Sequence, residues 1–410
     1  MIPVSVIVVS RDRPTALRRC LRGLSQLDYP NYEIVVVADE PGLAQVDAGP
    51  FATQVKSVRF DEANISAARN LGIAAAAGEI VAFIDDDAVP EPTWLRHLAS
   101  AFADDDVTAA GGYVIGRNGI SFQWTARSVD SRGVATPIAI EGDRPVLLHP
   151  TPDRAIKTEG TNMAVRREVL ADMGGFDPAY RFYLDETDLN MRLARKRLAT
   201  AIVPLARVHH GFAESPRRRA DRVPTTLFEQ GASLSVFLRR HAPASTHDAA
   251  RAADFSEQRK RLTRHLIDGK IEPRDMRRLL AGLRDGYRAG AERPLDSLPP
   301  LPRAAEGFRP FPTRFSGATR LLAARPWSAR RQQETARQMA RDGDGVTLMV
   351  FGLHARRHTV RFTDDGIWEH SGGLFGKSLR TQPPVRLWSF ARRIRDEKAR
   401  IEGCRGHFSN

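Results

Sequence analysis

The 410 residues leave room for one large α/β domain and a smaller one, with ample apolar material for both cores. Two cysteines, Cys20 and Cys404, without metal-type spacing exclude a disulfide framework and point to a reducing, cytoplasmic setting. The formal net charge of +13 is unevenly placed: 28 Lys/Arg face 30 Asp/Glu through Arg239, and 34 face 19 beyond it, so the basic character belongs to the C-terminal part. Such charge suits a solvated surface or contact with anionic lipid head groups.

The chain opens on MIPVSVIVVS, which has neither the basic flank nor the cleavage site of a signal peptide and reads as a first strand. Residues 14–27 form an amphipathic helix with Leu17, Leu21 and Leu24 on one face, and 32–37 form the next strand, giving a β-α-β unit and a parallel sheet. Residues 64–77 read as a helix closed at Gly78 by a left-handed cap. The apolar run Ile80-Val81-Ala82-Phe83-Ile84 suits a strand buried on both faces, and Asp85, Asp86 and Asp87 follow it directly. Pro90 and Pro92 then precede a helix beginning near Trp94, with proline in its first turn.

Ligands of open α/β sheets bind beyond the carboxyl ends of the strands, which is where these acids stand. Three adjacent carboxylates repel one another, and a hard divalent cation relieves that repulsion; the competing reading is a solvated turn that caps the next helix. Asp104-Asp105-Asp106 lacks a buried strand ahead of it and serves as an internal control.

Further along, 107–115 is a strand, 121–158 is expected to be loop-rich, and helix 167–173 leads into the turn Gly174-Gly175-Phe176-Asp177. Asp185, Glu186 and Asp188 stand at the N-terminus of a helix with the apolar stripe Leu189, Leu193 and Leu198. A strand over 200–204 precedes His209-His210-Gly211. Helices are expected over 226–240, 254–266 and 276–287, a proline-rich linker or extended wrap over 294–312, strands over 346–353 and 359–362, and a hairpin at Asp364-Asp365-Gly366. The chain therefore divides into 1–225, a helical extension 226–293, the stretch 294–312 and a basic region 313–410.

Five segments, VSVIVVSRDRPTALRRCLRGL, YEIVVVADE, ANISAARNLGIAAAAGEIVAFIDDDAVPEP, GTNMAVRREVLADMGGFD and DETDLNMRL, together resemble the family 2 inverting glycosyltransferases. They occupy about the first half of the chain. The resemblance implies an α/β fold of GT-A type, a Rossmann-like mixed sheet flanked by helices, here with a C-terminal helical and small β appendage. It implies transfer of a sugar from a nucleoside diphosphate donor to a hydroxyl of a saccharide or lipid-linked acceptor, with Mg²⁺ or Mn²⁺ neutralising the leaving diphosphate. Surface polysaccharide or glycan synthesis is the expected setting.

Residue by residue, the resemblance makes Asp87 the metal ligand, the signature of the DXD motif, and Asp85 and Asp86 supporting donor contacts. Asp39 falls where the nucleotide base is usually met, although Ala38 replaces an acid often found before it. Arg69 and Arg11 fall on the donor side. Glu186 takes the position of the base that accepts the acceptor's proton, one methylene longer than the usual Asp, with Asp185 and Asp188 beside it; a capping box made by Asp185 and Asp188 is the plainer alternative. His210 is a second metal or diphosphate contact, with His209 still open, and Gly160-Thr161-Asn162 lines the acceptor side. The Arg-rich helical stretch 259–264 motivates peripheral attachment to an anionic membrane surface.

Two rivals are a nucleotidyltransferase, which wants a glycine-rich phosphate loop where Ser10-Arg11-Asp12-Arg13-Pro14 stands, and a non-catalytic nucleotide-sugar binding protein. Aromatic and basic residues do not interleave, so nucleic acid is not an expected partner.

Overall fold

The structure is a computed structural model that describes residues 1–211, 214–315 and 318–409. β1 (Val4–Ser10) sends Val4, Val6 and Val8 to one face of the sheet and Ile7 to the other, the two-residue period of a strand buried on both sides. α1 (Pro14–Leu24) starts on a proline, whose missing N–H is tolerated there, and buries Leu17, Cys20, Leu21 and Leu24. β2 (Tyr32–Ala38) is buried at every position. Asp39 then caps α2 (Glu40–Asp47), its carboxylate accepting from the Gly42 N–H, and β3 (Lys56–Arg59) follows.

Asn64 caps α3 (Ile65–Ala75), and β4 (Ile80–Asp85) carries the Asp triplet out of the sheet. Gly78 is not the left-handed cap expected from the sequence: α3 ends in extended backbone at Ala76. Glycine is needed at 78 because a Cβ there would lie 2.6 Å from the Ser5 backbone nitrogen. After β5 (Ala88–Pro90), α4 (Trp94–Ser100) begins behind Thr93, so no proline occupies its first turn, and the triplet caps no helix.

β6 (Val107–Ile115) is followed by the stretch expected to be loop-rich, which instead holds β7 (Phe122–Trp124), β8 (Arg127–Asp130), β9 (Ala135–Pro137), β10 (Val146–Leu148) and β11 (Arg154–Lys157). These strands are three or four residues long and partly exposed, too short to leave a hydrophobic period. β12 (Met163–Arg166), α5 (Arg167–Asp172), α6 (Asp185–Arg195) and β13 (Ala199–His210) complete the domain, β13 running six residues past the strand expected.

The main sheet has the order β10-β13-β6-β12-β4-β1-β2-β3, with β7 on β6 and β5 on β13. β1, β2, β3 and β4 are parallel, β6 and β13 are parallel to each other, and β12 runs against both β4 and β6. One edge of the sheet therefore collects the ends of β1, β2, β4 and β13 and the start of β12. α1 and α4 cover one face and α3, α5 and α6 the other. This is the mixed α/β architecture expected. β11, β8 and β9 form a separate antiparallel sheet against α6.

Beyond it, α7 (Phe228–His241), α8 (His247–Ile267) and α9 (Pro273–Glu292) pack together, α7 and α9 so closely that a Cβ at Gly286 would stand 2.1 Å from the Phe228 carbonyl oxygen. Residues 294–315 contain no helix or strand and wrap the first domain: the backbone N–H groups of Leu301 and Phe311 donate to Ala171 and Tyr32, and the Phe311 ring packs 5.5 Å from both Tyr32 and Phe51.

The last region is larger than a hairpin. β14 (Thr319–Ala324), α10 (Ala329–Arg341) and β15 (Gly345–Gly352) make a parallel crossover unit, β16 (Thr359–Phe362) and β17 (Ile367–Gly373) form the expected hairpin around Gly366 at φ +83°, and α11 (Phe390–Arg405) leads to β18 (Phe408–Ser409). The strands order as β16-β17-β15-β14-β18. Among the described residues no helix is long and apolar enough to cross a membrane.

Candidate active site

Asp85, at the tip of β4, and Asp87, just past it, meet His210 at the end of β13, and one ligand atom from each lies within 4.8 Å of the others. His210 Nε2 stands 3.3 Å from Asp87 Oδ1 and 4.0 Å from Asp85 Oδ2. The opposite ring nitrogen, Nδ1, lies 3.3 Å from Gln123 Oε1, an outer contact that orients the ring with Nε2 toward the acids. Two carboxylates and one imidazole suit a hard or borderline divalent ion such as Mg²⁺ or Mn²⁺. Asp104-Asp105-Asp106, by contrast, is exposed.

His209 points the other way, as alternation along a strand requires, and its Nε2 lies 2.8 Å from Glu91 Oε1. Asp86 is fully buried, accepts from Ser10 Oγ at 2.7 Å and pairs with Arg13 at 2.7 Å. Burial pushes its pKa up, against the pull of Arg13 and with the repulsion of Asp87. Arg13 also reaches Asp87 at 3.3 Å, a contact that sequence reading missed; the signal was its place in the loop directly after β1.

That loop lines a cavity of about 360 Å³ with Arg11, Val37, Phe60, Asn64, Tyr183 and Arg217. Arg11 is half-exposed beside Asp12. Asp39 accepts from the Asp12 N–H at 2.7 Å as well as capping α2, so both its oxygens shape the loop and α2.

Arg69 is buried and bonds Asp185, Asp85 at 3.4 Å and the Gly160 carbonyl at 3.2 Å, with the Phe83 and Phe176 rings around it. It ties the metal-type cluster to α6. Asn162 does not face an open site: Trp94 donates to its Oδ1, and its Nδ2 donates to the Tyr113 and Ala206 carbonyls, stapling β6 and β13. The acceptor-side expectation fails for this amide because Trp94 and the two strands take both its donors and one of its two acceptor sites. Thr161 is buried next to it.

The three acids of α6 separate. Leu184, not Asp185, is the N-cap residue. Asp188 is held at about 2: burial raises it, and Arg192 at 2.7 Å together with His241 at 2.8 Å outweighs that, fixing α6 to α7. Asp185 is pushed up by burial and by Glu186, against Arg69. Glu186 is the most accessible of the three at 16% of its side chain, and although burial raises its pKa, Lys157 at 2.8 Å carries it below the ordinary range. Lys157 also pairs with Glu159 at 3.5 Å, and Glu159 with Arg127. This relay lies in the segment whose pattern was weakest, and sequence reading did not find it.

Residues 5–174 match the family described as Glycosyl transferase family 2. The match covers the N-terminal part of the chain, less than half of its length. Similar proteins include the O-antigen biosynthesis protein RfbC of Myxococcus xanthus, 27% identical over 54% of this chain and 18% of the relative. The glucosyl-dolichyl phosphate glucuronosyltransferase of Haloferax volcanii is 26% identical over 42% of this chain and 56% of its own length. The chain thus spans less than two thirds of both relatives. Among solved structures, the mannosyltransferase PcManGT from Pyrobaculum calidifontis, in complex with GDP-Man and Mn²⁺, aligns at a TM-score of 0.43 and 17% identity over 71% of this chain and 87% of that one. The matched residues hold β1 through α5, including the Asp triplet, while α6 and His210 lie beyond them.

Proposed function

We propose that the protein is an inverting, metal-dependent glycosyltransferase that moves a sugar from a nucleoside diphosphate donor to a hydroxyl of a saccharide or lipid-linked acceptor, in the building of a surface polysaccharide or glycan. One observation carries the reading: Asp85, Asp87 and His210 converge at the sheet edge, and Arg69 links that cluster to the N-terminus of α6, where Glu186 is the most accessible acid.

Asp85, Asp87 and His210 would hold Mg²⁺ or Mn²⁺, which supplies the positive charge that stabilises a leaving diphosphate. The cavity beside the β1–α1 loop takes the nucleoside, with Val37 and Phe60 as apolar walls and Arg11, Arg13 and Arg217 as cations for phosphate oxygens. Arg69 keeps Asp85 and Asp185 at fixed separation and so sets the distance between donor and base. Glu186 accepts the proton of the acceptor hydroxyl as the new glycosidic bond forms on the face opposite the departing diphosphate, which inverts the anomeric carbon. Lys157 keeps Glu186 ionised at neutral pH and must yield its contact when the acceptor hydroxyl arrives.

The reading extends to a cytoplasmic setting with the basic region beyond Arg239 against an anionic membrane; no co-sedimentation of the full chain with anionic vesicles at moderate salt removes that extension. The central test is a thermal-shift panel of UDP, GDP, TDP, CDP and their sugar conjugates, with and without Mn²⁺ or Mg²⁺. A metal-dependent rise in melting temperature with one nucleotide is expected, since a ligand of the folded state stabilises it by mass action. No rise with any of them overturns the reading.

A further inference from the structure

β5 leaves the Asp triplet and β13 ends on the two histidines, and together they form an antiparallel ribbon with His210 opposite Ala88, His209 opposite Val89 and Val208 opposite Pro90. Its two ends are held differently. Beside the metal-type cluster the Gly211 N–H donates to the Asp87 carbonyl at 2.8 Å. At the other end the Glu91 N–H donates to the Arg207 carbonyl at 2.9 Å, and the Glu91 carboxylate reaches the C-terminal sheet. There Arg405, the last residue of α11, grips it with both prongs of its guanidinium, Nε to Oε2 at 2.7 Å and Nη2 to Oε1 at 3.0 Å.

His209 lies in the same grip. Its Nε2 stands 2.8 Å from the Glu91 Oε1 that Arg405 also binds, and its ring packs 4.6 Å from the Trp368 ring of β17, over which the Arg405 guanidinium stands at 4.5 Å. Val89 completes the contact by packing with Val360, Phe362 and Trp368. Glu91, Trp368 and Arg405 are all buried, so water does not compete for these contacts. The C-terminal sheet thus holds one side of a strand pair whose other side carries the metal-type cluster. Adjacent histidines make the register of that pair a choice. A shift by one residue turns every side chain to the opposite face, which would bring His209 to the acids and take His210 away. Both are imidazoles, so the acids by themselves do not select between them.

We infer, on the metal-dependent reading above, that the C-terminal domain makes this choice: Arg405 and Trp368 are positioning residues that act through Glu91 and His209, lock β5 against β13, and so present His210 to the cation beside Asp85 and Asp87. Residues far beyond the family match, which ends at residue 174, thereby take part in the site. The sign of their effect is diagnostic. Arg405 acting only through its positive charge would repel a cation and weaken its binding, whereas Arg405 acting as a clamp strengthens it.

The test is Mn²⁺ uptake by the full chain, read without nucleotide or turnover from the loss of the free-ion signal in electron paramagnetic resonance. Arg405→Met should weaken Mn²⁺ binding by about 10- to 100-fold, as removal of a group that orients a metal ligand does, whereas relief of repulsion alone would tighten it. Trp368→Leu changes no charge and should shift binding in the same direction, and it carries the test if circular dichroism shows that Arg405→Met does not fold. Met349→Ala, a core truncation of β15 in the same sheet, should lower the melting temperature and leave Mn²⁺ affinity as in the wild type. Wild-type or tighter binding in a folded Arg405→Met or Trp368→Leu chain, or an equal loss in Met349→Ala, overturns the proposal. If the wild-type chain takes up Mn²⁺ and the clamp variants match it, only the clamp fails; if the wild type takes up none, the reading of the metal site fails and the clamp with it.

Discussion

Among the described residues, two places bring the same ligand types within 4.8 Å: Asp85, Asp87 and His210 at the edge of the main sheet, and His358, His370 and Glu397 inside the C-terminal sheet. Their surroundings give them opposite fates. Arg405 donates to His370 Nε2 at 2.7 Å, so the His370 proton sits on Nδ1 and points at His358 Nε2, 3.0 Å away. His358 Nδ1 then faces Glu397 at 3.5 Å, with Ser378 and Arg393 close by, and Arg400 also binds Glu397. The ring nitrogens are occupied, three arginines repel a divalent ion, and both histidines are fully buried with pKa values lowered chiefly by that burial. At the sheet edge three carboxylates crowd together, and Asp85 keeps 30% of its side chain in contact with solvent. Ligand type and spacing alone do not make a cation site; net charge and access decide.

The C-terminal network continues through Arg405, which pairs with Glu91 at 2.7 Å, and Glu91 holds His209, the neighbour of His210. A buried ion chain thus joins the last helix to the strand that carries the metal-type histidine. Replacing a member tests whether the second cluster serves as structure and the first as chemistry.

The largest effect is expected from Glu186→Gln, which should lower sugar transfer by about 10²- to 10⁴-fold, the range of a general base, while nucleotide-induced thermal shifts stay as in the wild type. Normal transfer by this variant would make Asp185 the next candidate. Asp87→Ala should abolish the metal-dependent thermal shift and weaken transfer by roughly two to three orders of magnitude, whereas His370→Asn should leave metal dependence intact and lower the melting temperature. Loss of metal dependence in His370→Asn would erase the distinction between the clusters.

Arg405→Met breaks a buried pair and should cost about 3–5 kcal/mol in urea unfolding. The same pair has a pH signature. Burial raises the Glu91 carboxyl, but Arg405 and His209 outweigh it and hold the group at about 2. A carboxyl depressed in the folded state stabilises above its unfolded pKa, and the stabilisation fades as pH falls from the ordinary Glu range toward 2. Unfolding midpoints followed from pH 6 to pH 2 should fall in the wild type and fall less in Arg405→Met; parallel curves would show that Glu91 draws nothing from Arg405.

Legibility followed element length and burial. The strands 4–10, 32–38 and 80–85 and the helices 14–24, 228–241 and 273–292 announce themselves through long runs of one period, and their boundaries shift by only a few residues. The strands between 122 and 157 are too short to show a period, and with them the Arg127–Glu159–Lys157–Glu186 relay stayed hidden. Gly78 stands out in the sequence as a special position, but the reason for it, the close approach to Ser5, is a contact between distant segments.

By itself the sequence determined the α/β class, the acids at strand ends and the acidic start of α6, because each follows from local period, turn chemistry and residue order. Only the tertiary structure decided that His210 joins Asp85 and Asp87 while His209 turns to Glu91, that Asn162 serves the sheet, and that Asp188 serves α7. Each of these depends on what stands across from a side chain, and that is set by strand order and helix packing over separations of tens to hundreds of residues.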